Sequence, residues 1–514
     1  MIFNSWPFIF VFLPICLGVF HFLANRRMLW AQIWVILASL LFYAYWKIEY
    51  LPLLLGSVGF NFTLVCTMNS SAWEGHRKFL LVLGLAFNVL LLGFFKYTNF
   101  FLATLKATAL HVPGSFHVVE MMASHVPGPF DIVLPLAISF FTFTQIAYLI
   151  DAYWDRNLRH SFLDYSFLVV FFPHLIAGPI VRGGEILPQL KDWGKRLGFQ
   201  TIAVGLMLFT MGLCKKCLIA DALSPHVENV FGSATQGVVV GMKDAWMGAI
   251  AFSFQIYYDF SAYSDMALGL ALMFGMRFPV NFNSPYTSLD VTDFWRRWHM
   301  SLSRFLRDYI HTTLSLACTR RAVESGCRSF GMFMMSVFIP LFITFLISGI
   351  WHGAGWNFVI WGGLYGLCLI VAHAWRDFTR KVGFPESAAI KWLARGFTFG
   401  VVVLINVWFR AAHVHSGWAL TRSMLGLQSG FTGTPLIGSS LEAFLPVLLL
   451  IAWFLPNTQQ LLADYEPALG KVDARSSWKI KLNYVSVFIL GVVFLIVTKE
   501  LFVTKANAFI YFKF

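Results

Sequence analysis

The chain has 514 residues, 58% of them apolar and 18% aromatic, with only 12% charged. Soluble domains carry about 25% charged residues, and no soluble fold hides this much apolar surface behind so thin a polar exterior. Disordered, collagenous and disulfide-framework chains are excluded by the same figures, and the apolar residues suffice for at most about 15 membrane helices of ~20 residues.

The composition therefore describes a polytopic membrane protein. Its net charge of +13 belongs to cytoplasmic loops and interfacial helices beside anionic lipid; no nucleic-acid motif accompanies it. The cysteines, Cys16, Cys66, Cys214, Cys217, Cys318, Cys327 and Cys368, are odd in number and mostly inside apolar runs, as buried thiols are. Cys214-Lys-Lys-Cys217 has no second pair, so neither a zinc nor a redox site is expected.

Residues 1–25 are uncharged and Arg26-Arg27 follows them. A cleavable signal peptide places its positive charge first, so this is a first span that starts outside. Uncharged runs continue at 28–46, 50–73, 79–95 and 132–150. The loops at Arg26-Arg27, Glu74 to Lys78 and Asp151 to His160 are basic, whereas Lys47 to Glu49 and 97–131 are not. This alternation puts the N-terminus outside and the basic loops in the cytoplasm.

Beyond 160 the runs shorten: 165–181, 199–214, then 245–276 interrupted by Asp259 and Asp265, then 329–351, 353–375, 396–409, 443–457 and 483–498. Short or Pro/Gly-broken segments at membrane depth are tolerated only when packed in protein or lining a cavity. Residues of about 165–375 are thus expected to hold re-entrant elements around an internal site. No repeat and no linker divides the chain, which reads as a single domain of roughly ten to twelve spans.

The most informative stretch is Asp293-Phe-Trp-Arg-Arg-Trp-His299-Met-Ser-Leu-Ser-Arg304-Phe-Leu-Arg307-Asp308-Tyr309. As one helix within 287–311, capped by Asp290 or Thr292, it puts Trp295 and His299 on one face. Arg296, Arg297, Arg304 and Arg307 are its cations. Composition favours an amphipathic helix anchored at the cytoplasmic interface; the guanidinium forks equally suit a mouth for an anionic substrate. The two readings are compatible.

The second stretch is Ile347-Ser-Gly-Ile-Trp351-His352-Gly-Ala-Gly-Trp-Asn357. A histidine at membrane depth is a functional candidate by default, and neutral imidazole is a general base for a hydroxyl near neutral pH. A hydrogen-bonded packing histidine is the alternative. Asp259 and Asp265 are expected to pair with arginines across the bundle, and His174 in Phe172-Pro-His-Leu-Ile-Ala-Gly-Pro179 breaks a short helix beside Arg182. His111, His117 and His125 are too widely spaced for a metal, and no phosphate loop, nucleophile elbow or HExxH occurs.

Asp293 to Ser303, then Gly349-Ile-Trp-His352-Gly-Ala, resembles the membrane-bound O-acyltransferase family, and within it the bacterial branch that O-acetylates exopolysaccharides such as alginate. Leu134 to Phe143, Phe172 to Arg182, Asp259-Phe-Ser-Ala-Tyr-Ser-Asp265 and the terminal Phe509-Ile-Tyr511-Phe-Lys-Phe514 extend the resemblance over the whole chain. The resemblance implies an all-α ring of membrane helices around a tunnel, with His352 catalytic and His299 the second motif histidine. Asp259, Asp265, Trp351, Asn357 and His174 would line the tunnel.

It also implies a thioester donor, acetyl-CoA or an acyl carrier, reaching His352 from the cytoplasm and docking on the arginines. No bound cofactor or metal is implied. The acetyl group would pass, in the bacterial inner membrane, to a periplasmic acetyltransferase of the SGNH type, with a polysaccharide synthase complex as a further partner and alginate, cellulose or a similar polymer as acceptor. Two positions depart from the branch: Ile310-His-Thr-Thr-Leu-Ser replaces an apolar-Leu-Gly-Gly-Asn stretch, and Ala262 replaces Gly. The tail at 507–514 makes Tyr511 either a transient acyl acceptor or an aromatic anchor. D-alanyl transfer to another envelope polymer, and a passive acyl conduit or transporter, are the competing functions; the latter calls for repeat symmetry, which is not found.

Overall fold

A computed structural model describes residues 1–109, 132–383, 387–428, 436–470, 478–503 and 509–510. Among the described residues the regular structure is helical, with one isolated bridge between Pro279 and Leu469. A backbone in lipid has no water to bond, and a helix satisfies its N–H and C=O groups within the segment itself.

In chain order the helices are α1 (Phe8–Ala24), α2 (Met28–Ala44), α3 (Leu51–Met68) and α4 (Arg77–Ala109). The span expected at 79–95 runs on through Lys96, which lies inside α4. After α5 (Ile138–Trp154) and α6 (Phe162–Val170) comes the short helix Phe172–Leu175, as the broken Phe-Pro-His run leads one to expect. Then follow α7 (Phe199–Thr235), α8 (Met242–Met273), α9 (Val291–Arg297), α10 (Met300–Phe305) and α11 (Thr312–Glu324). The remainder is α12 (Phe330–His352), α13 (Trp356–Val382), α14 (Ala388–Arg410), α15 (Val414–Met424), α16 (Ser439–Phe454) and α17 (Tyr484–Val503).

Among the described residues, seven helices are long and apolar enough to cross a membrane: α3, α4, α7, α12, α13, α14 and α17. The expected range of roughly ten to twelve is reached only by adding the shorter apolar helices α1, α2 and α16.

Helix α8 is the axis of the bundle. From Ala251 to Met273 every residue is buried, as befits a helix enclosed by protein on all sides. It meets α7 backbone to backbone. A Cβ on Gly205 would lie 2.6 Å from the Gly269 carbonyl oxygen, and one on Gly212 2.6 Å from that of Ala262. Such small-residue seams let membrane helices gain dispersion energy that lipid cannot supply.

This enclosure sets the partners of the two buried acids, and here the expectation of arginines is corrected. Lys216 Nζ lies 2.7 Å from Asp259 and 2.9 Å from Asp221, while Lys215 Nζ lies 2.7 Å from Asp265. Both lysines sit in the π-helical turn Lys215–Ala220 of α7, inside the Cys-Lys-Lys-Cys motif. Lysine supplies a compact charge through a helix seam this close, where a guanidinium plane would need more room. Asp265 also accepts from Gln459 Nε2 at 2.5 Å, and Asp259 from the Ile510 N–H at 2.7 Å.

Candidate active site

The 287–311 stretch does not form one helix. The Asp290 side chain caps α9 by accepting from Asp293 N–H at 2.8 Å, and Arg297 pairs with Asp293 at 3.0 Å as the spacing predicts. The helix then ends, and His299 adopts a left-handed backbone, φ 41° and ψ 54°, before α10 begins. A non-glycine residue there is uncommon, and Asn281 accounts for it. The Asn281 carbonyl accepts from Met300 N–H at 2.9 Å. Its side-chain oxygen accepts from Ser301 Oγ at 2.6 Å and Ser301 N–H at 3.2 Å, with His299 Nδ1 3.3 Å away. The break means that Trp295 and His299 do not share a helical face.

It also turns the apolar side chains inward: Phe294, Trp295, Trp298, Leu302, Phe305 and Leu306 are buried. His299 is fully buried, edge-on to Phe260 at 4.6 Å, and its Nε2 has no hydrogen-bond partner among the described residues. Its cationic flank is mostly spoken for. Arg304 pairs with Glu185 at 2.7 Å, Arg307 and Arg182 hold Asp308 at 2.7 and 2.9 Å, and Arg376 holds Asp290 at 2.9 Å. Arg296 is exposed. Burial pushes the Asp308 carboxyl up, but the hydrogen bonds and charges of Arg307 and Arg182 outweigh it and leave the pKa below the usual carboxylate range.

His352 is the last residue of α12. That helix lies against α13 where Gly349 faces Gly362: an added Cβ on Gly349 would strike the Phe358 carbonyl. Gly353 follows because the Phe358 ring occupies the space of a side chain. Asn357 Nδ2 donates to the Ala411 carbonyl at 2.9 Å and to that of Trp408 at 3.3 Å, tying the loop to the end of α14. Around the imidazole stand Trp351, Trp361 and Phe409, with ring centroids at 4.8, 5.0 and 5.2 Å. Trp351 also lies 6.4 Å from the His299 ring, so one indole separates the two histidines.

His352 and Trp351 face a cavity of 380 Å³ whose other walls include Met1, Trp46, Lys96 and Ala137. A wider groove of 1100 Å³ runs past Phe100, Trp356, Asn357 and Arg410. His174 is packed edge-on to Phe171 and Phe278, while Ile176 and Ala177 just beyond it line the smaller cavity. Asp259 and Asp265 are engaged in the α7–α8 ion pairs. Tyr511 lies outside the described residues, as do His111, His117 and His125. The two residues before Tyr511 are buried in the core: Phe509 rests on Tyr263 at 4.8 Å and on Phe260 at 5.5 Å.

Two participants escaped the sequence reading. Asn281 carries no motif signal. Lys96 does carry one, being a charge in the middle of an apolar helix, but its position at the end of the 79–95 run disguised it as a span boundary. Its Nζ donates to the carbonyls of Trp351 at 2.5 Å and His352 at 3.1 Å, and Tyr97 OH donates to that of Ile350 at 2.5 Å.

The membrane-bound O-acyltransferase family model matches residues 156–409. The chain is 40% identical to a peptidoglycan O-acetyltransferase of Helicobacter pylori, over 83% of this chain and 80% of that one. It is 33% identical to a protein of Pseudomonas putida named "Probable alginate O-acetylase AlgI", over the full length of both. A teichoic acid D-alanyltransferase of Bacillus subtilis is 27% identical over 49% of this chain and 62% of that one. Seven long apolar helices, shorter ones beside them and these likenesses agree: the chain is a multi-pass membrane enzyme and belongs to the membrane-bound O-acyltransferase family.

Proposed function

We propose that the protein moves an acetyl group from a cytoplasmic thioester, acetyl-CoA or an acyl carrier, to the outer side of a bacterial inner membrane. There a periplasmic partner of the SGNH type places it on a cell-envelope glycan. The observation that carries this reading is the 380 Å³ cavity beside His352. Its walls come from Met1, Trp46 and Ala137, which the loop charges assign to the outer side. His299 lies across Trp351, on the stretch bearing Arg296, Arg297, Arg304 and Arg307, where an anionic donor docks in this reading. Moving only the small acyl group spares the membrane a crossing by CoA.

In the reaction an acceptor hydroxyl gives its proton to His352 as its oxygen attacks the thioester carbonyl carbon. The C–S bond then breaks, and the leaving thiolate takes the proton back from the imidazolium. Peptidoglycan is the acceptor favoured by the 40% identity to the Helicobacter protein; an alginate-like polymer is the second reading, favoured by the full-length match to AlgI.

The test is base-labile acetate on purified peptidoglycan and on exopolysaccharide from cells carrying His352→Ala, with protein abundance measured in parallel. Loss of acetate from one polymer at normal abundance identifies the acceptor; unchanged acetate on both refutes the role of His352. In this reading Tyr511 receives the acyl group transiently, a role supported by the burial of Phe509 against Phe260 and by the Ile510 N–H bonded to Asp259. Full acetylation by Tyr511→Phe excludes it.

A further inference from the structure

An ammonium group inside a membrane helix is expensive and is kept where it has work. Lys96 projects from α4 onto the end of α12, where the last carbonyls of a helix lack intrahelical partners. Two of its three donors are used there, on Trp351 O at 2.5 Å and His352 O at 3.1 Å. An ammonium has three N–H bonds in tetrahedral array, so the two carbonyls leave one N–H over, with the Trp351 ring centroid 5.9 Å from Nζ. Lys96 lines the 380 Å³ cavity together with His352, and no further hydrogen bond engages its Nζ among the described residues. Capping alone does not require lysine, because Tyr97 OH already serves the neighbouring Ile350 carbonyl.

We propose that Lys96 is a catalytic residue, its third N–H binding the carbonyl oxygen of the acyl thioester and the oxyanion that forms there. The proposal rests on the acyl-transfer reading of His352. As the acceptor oxygen bonds to the carbonyl carbon, the C=O electron pair moves onto oxygen, where the positive N–H stabilises it. When the pair returns, the C–S bond breaks, and the thiolate leaves with the proton that His352 took from the acceptor. Lys96 keeps all its protons throughout. The bonds to Trp351 and His352 fix the ammonium before reaction, so no reorganisation is needed as charge develops, and this preorganisation is what gives such donors their effect.

The experiment uses the full-length protein in lipid nanodiscs and follows thiol release, with water as acceptor, from acetyl-CoA and from dithioacetyl-CoA, in which sulfur replaces the carbonyl oxygen. Lys96→Met is expected to lower kcat on acetyl-CoA by about 10²–10³-fold with KM nearly unchanged. On dithioacetyl-CoA the same variant loses far less, because a thiocarbonyl sulfur accepts hydrogen bonds poorly. Tyr97→Phe removes a bond at the same helix end without touching the cavity, and its effect is expected to be equal on the two donors. Equal losses on both donors for Lys96→Met overturn the proposal and leave Lys96 a positioning residue. Thiol release from neither donor by the unaltered protein overturns the use of a CoA thioester at this site, and the role of Lys96 on that donor with it.

Discussion

Gly349→Ala is the smallest change that should disable the site without altering any polar group. A Cβ at Gly349 would collide with the Phe358 carbonyl and lie 3.1 Å from both the Cα and the N of Gly362. Carbon atoms in contact rest about 3.5–4.0 Å apart, and backbone cannot swing aside as a long side chain can. Helices α12 and α13 must therefore part by roughly 1 Å, at a cost of about 1–3 kcal/mol for overpacking. His352 lies less than one turn beyond Gly349 and moves with the helix end. A misplacement of about 1 Å at a reacting group costs around 10²-fold in rate.

Gly363 supplies the control. It neighbours Gly362 on α13, but its Cβ would meet Leu346 at 3.7 Å and Phe342 at 4.0 Å, which is ordinary contact. The assay is acetyl transfer per folded protein, with thermal unfolding in detergent alongside. Gly349→Ala should lose about 10²-fold in activity and unfold earlier, while Gly363→Ala should do neither. Equal activity in the two variants would refute the inference that close α12–α13 packing positions His352.

Two further outcomes follow from the ion pairs. Lys216→Met removes the ammonium that Asp259 and Asp221 share, and breaking a buried pair costs about 3–5 kcal/mol; adding Asp259→Asn should recover part of this, read as a higher unfolding temperature for the double variant than for the single. The Asp308 carboxyl is held below its usual pKa by Arg307 and Arg182 against the opposing effect of burial. A depressed folded-state pKa contributes stability above the unfolded value of about 4 and loses it as the pH falls through the folded value. Asp308→Asn should therefore unfold earlier than the unaltered protein at neutral pH, and the difference should vanish on acidification; a difference that persists in acid refutes the assignment.

The fold class was legible because lipid removes alternatives. A chain that is 58% apolar must fold as helices or a closed barrel, and its runs are too long and continuous for barrel strands. His352 stood out because ionisable groups at membrane depth are rare, whereas His299 stood out only through the family resemblance. The break at His299 was not legible. Apolar residues continue on both sides of it, so the pattern reads as one helix, and only Asn281, from a separate segment, stabilises the left-handed turn.

The partners of Asp259 and Asp265 were hidden for a related reason. Sequence shows that a buried acid needs a cation, but which cation reaches it depends on how closely α7 and α8 approach through Gly205, Gly212 and Gly269. Lys96 illustrates the same division. A lysine ending an apolar run is locally indistinguishable from a headgroup anchor. Whether it meets lipid phosphate or the carbonyls of Trp351 and His352 depends on where a helix some 250 residues away in the chain comes to rest. Local composition thus determined the solvent of this protein and its helical class, because those follow from transfer energies of single residues. Tertiary structure alone decided which charges meet, where the helix breaks and what faces the cavity, because those depend on distances between segments that no local pattern encodes.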